Sequence, residues 1–235
     1  MSAAQPRTAD PDDDPRATPV AFPEPPDLAA PPTVSPTLQA ISDASRTFFK
    51  YGNRYGMVPV HRAGLAAWLG NPLTGWQCLV TTIGRRSGLE RHTPLGYIVA
   101  DGAAWVMAGY GPATLWYRNV VDDPRVTLLL PARPPIAALA TEVRDPSVRA
   151  RIIPALARSM ALPGAMIGCL PLTATDERIL ACVPFVPLVR IAPADGSALP
   201  VGPDDPGGHG WVWRQVFVVG VSVLGVRALR RMLRG

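Results

Sequence analysis

The hydrophobic positions of the chain change period twice. From Thr37 to Gly70 the clusters Leu38, Ile41, Phe48, Phe49, Tyr55 and Met57 recur at helical spacing, and Leu65, Ala66, Trp68 and Leu69 continue them after a break near Pro59. The texture then becomes strand-like. "WQCLVTTI" (76–83) predicts a strand, and "HTPLGYIVA" (92–100) predicts a second. Asp101-Gly102 is a hairpin turn leading into a third strand, "AAWVMAG" (103–109). "TLWYRNVVDDP" (114–124) has the spacing of a short helix stopped before Pro124. "RVTLLL" (125–130) and "IAALATEV" (136–143) predict two more strands, and "PLVRIAP" (187–193) a last one. Between them, Asp145-Pro146 supplies an N-cap and a proline at the first helical position, so a helix is expected to run to about Met160. Strands outnumber helices and are joined by hairpins. The fold class expected is mainly β, a small antiparallel barrel with helices packed outside it.

Both ends depart from this pattern. Residues 1–36 hold ten of the chain's 28 prolines and no aliphatic run. Such a segment buries too little apolar surface to offset its ordering entropy, so a disordered tail is expected. Asp10, Asp12, Asp13 and Asp14 stand where a secretory signal would be basic and then apolar. The expected division is therefore a tail (1–36), a barrel domain (37–201) and a C-terminal portion (202–235). That portion opens with a linker, "GPDDPGGHG" (202–210), followed by an apolar and basic segment expected to be helical. Val216 to Val226 is nearly all apolar, about 16 Å long if helical, which is short of the ~30 Å bilayer core. Trp211 and Trp213 precede the run, and Arg227, Arg230, Arg231 and Arg234 follow it. The combination suits peripheral membrane contact through 211–235, and equally suits a terminal helix docked on the domain or on a twin subunit.

Charge sharpens the picture. The tail carries −4 of the chain's +5 net charge, which puts +9 on the remainder. A basic domain suits an anionic ligand, nucleic acid or an acidic lipid surface. Aromatic residues are not interleaved with the arginines, so nucleic acid is not an expected partner. Cys78, Cys169 and Cys182 have no paired spacing, and His61, His92 and His209 are scattered, so no metal site is expected. Apolar neighbours around the cysteines point to reduced, buried thiols and a cytoplasmic setting, with the inner face of the plasma membrane as the place of any lipid contact.

Candidate chemistry concentrates in "TTIGRRSGLERHTPLGY" (81–97). A turn from Gly84 to Gly88 can present backbone N–H groups inward, and Arg85 and Arg86 add forked donors suited to phosphate or carboxylate. Arg91 opens the next strand within reach of the same anion. A solvated hairpin tip would look similar. The phosphate loop of nucleotide hydrolases is excluded, because its G-x-x-x-x-G-K-[ST] pattern is absent.

The ordered motifs "TTIGRRSG", "R-x-TPLGY", "AGYG", "WYRNV" and "DPRV" resemble the deazaflavin-dependent nitroreductase family, whose members bind coenzyme F420 in a split β-barrel. The resemblance covers about 60–190 and is densest at 80–127. It implies F420 as cofactor, with FMN or haem as the alternatives that split barrels also hold. It places Arg85, Arg86 and Ser87 in the loop that holds the cofactor's phosphate and oligoglutamate tail, and Arg91 as their basic partner. Thr93, Pro94 and Leu95 fall on the strand beside the ring. Ala108, Gly109, Tyr110 and Gly111 fall on the segment whose backbone faces the cofactor, and Trp116 and Asn119 on the helix closing the pocket. It implies hydride transfer to a small apolar acceptor such as a quinone or nitro compound, and a homodimer as one possible assembly. A cofactor-binding protein without turnover is the alternative. Tyr97 and Tyr110 are the candidate acceptor contacts or proton donors. The chain departs from the family at Leu115, where proline is frequent, and in having no tyrosine after Tyr117.

Overall fold

The computed structural model describes residues 56–72, 74–160 and 171–232. All lie within one compact unit, Ser35–Gly235. The expected tail (1–36), most of the helical stretch from Thr37 and Cys169 lie outside the described residues.

Six strands close into an antiparallel barrel: β1 (Gln77–Ile83), β2 (Glu90–Ala100), β3 (Ala103–Met107), β4 (Arg125–Leu129), β5 (Ile136–Val143) and β6 (Leu188–Pro193). Around the barrel the order is β1-β2-β3-β6-β5-β4. Each predicted strand is present, most with bounds shifted by one or two residues. The helices are α1 (Val58–Arg62), α2 (Ala66–Leu69), α3 (Leu115–Asp122), α4 (Pro146–Ser159), α5 (Asp176–Cys182) and α6 (Gly210–Met232). Pro59 does not break the first helical stretch. It sits at the start of α1, where its missing N–H costs nothing, and the interruption falls at the turn around Gly64. The Asp145 cap is as expected, its carboxylate accepting from Ser147 N and Val148 N.

Strand alternation sends two sets of side chains to two cores. Cys78, Val80, Tyr97, Val99, Val106, Leu128 and Ile191 fill the barrel interior. Ile98, Trp105 and Met107 point the other way and pack under α4 and α5 against Ile152, Ile153, Leu156 and Ile179. Strand β3 is buried on both faces for this reason. Strand β5 faces solvent on one side and shows plain alternation.

The registers define two barrel ends. The Ile83–Glu90 hairpin, the 108–124 segment, the residues just after Val143 and those just before Leu188 lie at one end, here the arginine end. The 101–102 turn and the 130–135 and 194–200 segments lie at the other. The β2–β3 ladder has only four pairs, Tyr97↔Val106 to Ala100↔Ala103. Above it β2 runs on to Glu90, paired with β1 alone, while the chain leaves β3 at Met107. This parting leaves the edge of β2 from Glu90 to Gly96 without a strand partner on the β3 side at the arginine end.

The 202–210 segment is not a linker. Asp205 is fully buried: it accepts from Tyr97 Oη at 2.6 Å and from Gly202 N at 2.6 Å, and it pairs with Arg133. Asp204 pairs with Arg214 at the start of α6. The loop is folded so tightly that a Cβ on Gly208 would lie 2.4 Å from the Pro203 carbonyl oxygen. The barrel unit therefore extends at least to the first turn of α6. This corrects the boundary expected at residue 201.

Candidate functional site at the arginine end

The Gly84–Leu89 turn is built by its own backbone. Gly84 N–H donates to Leu89 O at 2.8 Å, and Gly84 O accepts from Ser87 N at 3.1 Å and Gly88 N at 2.7 Å. A Cβ on Gly84 would stand 2.7 Å from Ser87 Oγ and 3.2 Å from Leu89 O, so a side chain there would displace the serine and crowd the turn. Ser87 Oγ accepts from Arg91 Nη2 at 3.3 Å and from Leu89 N at 3.4 Å. The serine thus braces the turn and aims Arg91.

Asn119 ties this turn to α3. Its side chain is buried; Oδ1 accepts from Arg85 N at 3.2 Å, and Nδ2 donates to Thr82 Oγ1 at 3.1 Å. Asn119 therefore positions the loop from behind rather than lining a pocket. The same helix brings Arg118 beside Arg85 and Arg86. Desolvation first, then the charges of Arg118 and Arg86, pull the Arg85 guanidinium down from its ordinary value, and Asp122 opposes them. Arg85 remains charged at neutral pH, because even a lowered guanidinium stays far above it. None of Arg85, Arg86, Arg91 and Arg118 forms an ion pair with a carboxylate among the described residues. Arg118 was missed from the sequence although it adjoins Asn119 in "WYRNV".

The remaining expected residues divide. Thr93 and Leu95 lie opposite Val80 and Cys78 and share the barrel's inner face, whereas Pro94 lies on the outer face. Pro94 is tolerated because this half of β2 pairs on one side only. In the segment after β3, Ala108 is buried and donates its N–H to Pro187 O at 3.0 Å. Gly109 and Tyr110 are exposed, and a Cβ on Gly109 would meet nothing within 4 Å, so its backbone is open to a ligand. Gly111 is half-buried and turns the chain toward α3. Trp116 is a core residue, buried and edge-on to Tyr117 at 6.2 Å.

Tyr97 requires correction. It is completely buried, bonded to Asp205, and six residues down β2 from Arg91, about 20 Å along the strand. Burial, then the Asp205 charge, holds its hydroxyl far above the ordinary tyrosine value. It supports the fold and is not an acceptor contact. Cys78 is a buried free thiol, pushed up to about 12 chiefly by burial, and so is unreactive. On the outer face of the hairpin, His92 is pulled down from its ordinary value by burial and by Arg62. Its Nε2 faces Arg62 Nη2 at 2.5 Å and its Nδ1 faces Thr81 Oγ1 at 2.8 Å. Arg62 can only donate, so Nε2 is the acceptor and the proton sits on Nδ1.

The donor set at this end suits a polyanion. Arg85 and Arg86 lie on one glycine turn, Arg91 bonds to its serine and Arg118 sits near Arg85, at the same barrel end as the exposed backbone of Gly109. The resemblance assigned such a loop to the phosphate and carboxylate-rich tail of F420, and the residues present fit that group.

Three solved structures and one family model are similar to this chain. A conserved hypothetical protein from Mycobacterium tuberculosis is 20% identical, with 60% of this chain and 91% of that one covered at a TM-score of 0.38. A structure described as an F420-H2 dependent reductase, FDR-A, is 20% identical over 49% of this chain and 91% of that one, TM-score 0.33. One described as a domain-swapped dimer is 20% identical over 67% and 99%, TM-score 0.35. Residues 59–161, which run from α1 past the arginine turn to the end of α4, match the model of the F420H(2)-dependent quinone reductase family, the F420-dependent split-barrel type that the sequence motifs resemble.

Proposed function

We propose that the protein is an F420-dependent oxidoreductase that passes hydride to an apolar acceptor, a quinone in preference to a nitro compound. The arginine cluster carries this reading: Arg85, Arg86, Arg91 and Arg118 without carboxylate partners among the described residues, on a turn fixed by Gly84, Ser87 and Asn119. F420 when bound and reduced supplies the hydride. The chain's own residues do the rest. The arginines hold the tail, Asn119 and Ser87 keep the arginines aimed, and the exposed backbone at Gly109 lets a flat ring approach. Tyr110, 45% exposed at the same barrel end, is the side chain that would contact the acceptor or deliver a proton to it.

The acceptor class draws on α6. Its first turns are anchored: Arg214 pairs with Asp204 and donates to Ala67 O at 3.2 Å, and Phe217 stacks edge-on against Trp68 at 5.6 Å. Beyond the anchor, Val218, Val219, Val221 and Val223 are all between 43% and 60% exposed. Consecutive positions point to every side of a helix. The exposed apolar run offers lipid more surface than the single stripe a protein groove would cover, so on this reading the helix lies against a membrane surface with Arg227 toward acidic headgroups. No helix among the described residues is long and apolar enough to cross a membrane.

Truncation after Phe217 keeps the anchor and removes the exposed run. The full chain is expected to co-sediment with anionic vesicles and to oxidise reduced F420 with both a water-soluble and a long-tailed quinone. The truncated chain should keep the first rate and lose more than tenfold of the second. Absence of turnover with either quinone contradicts the catalytic reading. Turnover without vesicle binding contradicts the membrane part alone, and a truncation that dissociates a dimer would assign α6 to a second copy.

A further inference from the structure

A cavity of about 740 Å³ opens at the barrel end remote from the arginine turn. Its wall is largely apolar, with Leu128, Leu130, Ile136 and Leu199 forming the floor and Ala137 and Ala194 the rim. One cationic side chain lines it, Arg133, held by two contacts on a constrained backbone. Nη1 donates to Pro200 O at 2.9 Å, Nη2 pairs with the buried Asp205 carboxylate, and Ala132 before it adopts a left-handed backbone, φ 55°. A non-glycine residue keeps that conformation only where its surroundings impose it.

We propose that this cavity binds a small uncharged molecule with an apolar body and a carbonyl acceptor. The volume falls within the range of small-molecule sites. The apolar wall selects the body. Arg133 selects the head: its charge is already neutralised by Asp205, so an added carboxylate gains no net attraction, yet the guanidinium has five N–H groups and the contacts named leave some unused. A neutral carbonyl takes such a donor without bringing a second buried charge. The site is separate from the arginine turn, since the two occupy opposite barrel ends, and it stands or falls independently of the cofactor assignment.

The test uses the full chain and 6-propionyl-2-(dimethylamino)naphthalene, a neutral aryl ketone whose emission shifts to the blue in apolar surroundings. Saturable, blue-shifted binding is expected. Ala137→Trp and Ala194→Trp, rim substitutions that fill the cavity without touching the core, should each weaken it at least tenfold, and Arg86→Ala with Arg91→Ala should leave it unchanged. The corresponding naphthalene carboxylate should bind at least tenfold more weakly than the ketone. No saturable binding, binding indifferent to both tryptophans, or preference for the carboxylate would overturn the proposal.

Discussion

Asp205→Ala is expected to lower the unfolding free energy by about 3–5 kcal/mol, the usual consequence of removing one member of a buried ion pair. The carboxylate is wholly buried and has three partners: Tyr97 Oη, Gly202 N and Arg133. Removing it strands the Arg133 charge and a buried hydroxyl together, so the melting temperature should fall by about 10 °C or more. The neighbouring Asp204→Ala, whose pair with Arg214 is partly exposed, should cost less. A pH signature accompanies the network. The folded Tyr97 hydroxyl lies above its unfolded value of about 10, so its contribution is present below pH ~10 and is lost as the pH rises further. Tyr97→Phe should remove that alkaline loss. An Asp205→Ala protein melting within two degrees or so of the parent would return 202–210 to the status of a linker.

Arg86→Ala combined with Arg91→Ala is expected to weaken F420 binding more than tenfold, about 1.4 kcal/mol or more. Neither side chain forms an ion pair with a carboxylate among the described residues, so the loss reports on ligand contacts rather than on the fold. A cofactor shortened to remove its glutamate tail should lose less affinity than the intact one. Added salt should weaken binding to the parent more than to the double variant, because exposed cations are screened. Equal losses for the intact and shortened cofactors would show that these arginines do not hold the tail.

The strands were legible because each alternates or runs apolar between turn residues. The short α5 was legible too and went unread: Thr175 caps it by accepting from Arg178 N, and Asp176 and Glu177 occupy its first turn. The arginine turn was visible as a motif. Its geometry was not, because the bonds from Asn119 to Arg85 and Thr82 join residues more than thirty positions apart. Local pattern misled at both members of the Tyr97–Asp205 pair, which are 108 residues apart. The tyrosine resembled a site residue through its motif neighbours, and the aspartate resembled a linker because Gly, Pro and Asp surround it. Only the fold that joins them shows that each satisfies the other. Arg118 was hidden for a related reason: Trp116, Tyr117 and Asn119 mark the buried face of α3, and Arg118 among them lies near Arg85 of the turn.

The most direct measurement is a fluorescence titration of the full chain with F420 and, separately, with FMN. The arginine end offers contacts to a polyanionic tail that FMN lacks, so saturable F420 binding at least tenfold tighter than FMN is the predicted result. Equal affinity for the two, or a preference for FMN, would contradict the account.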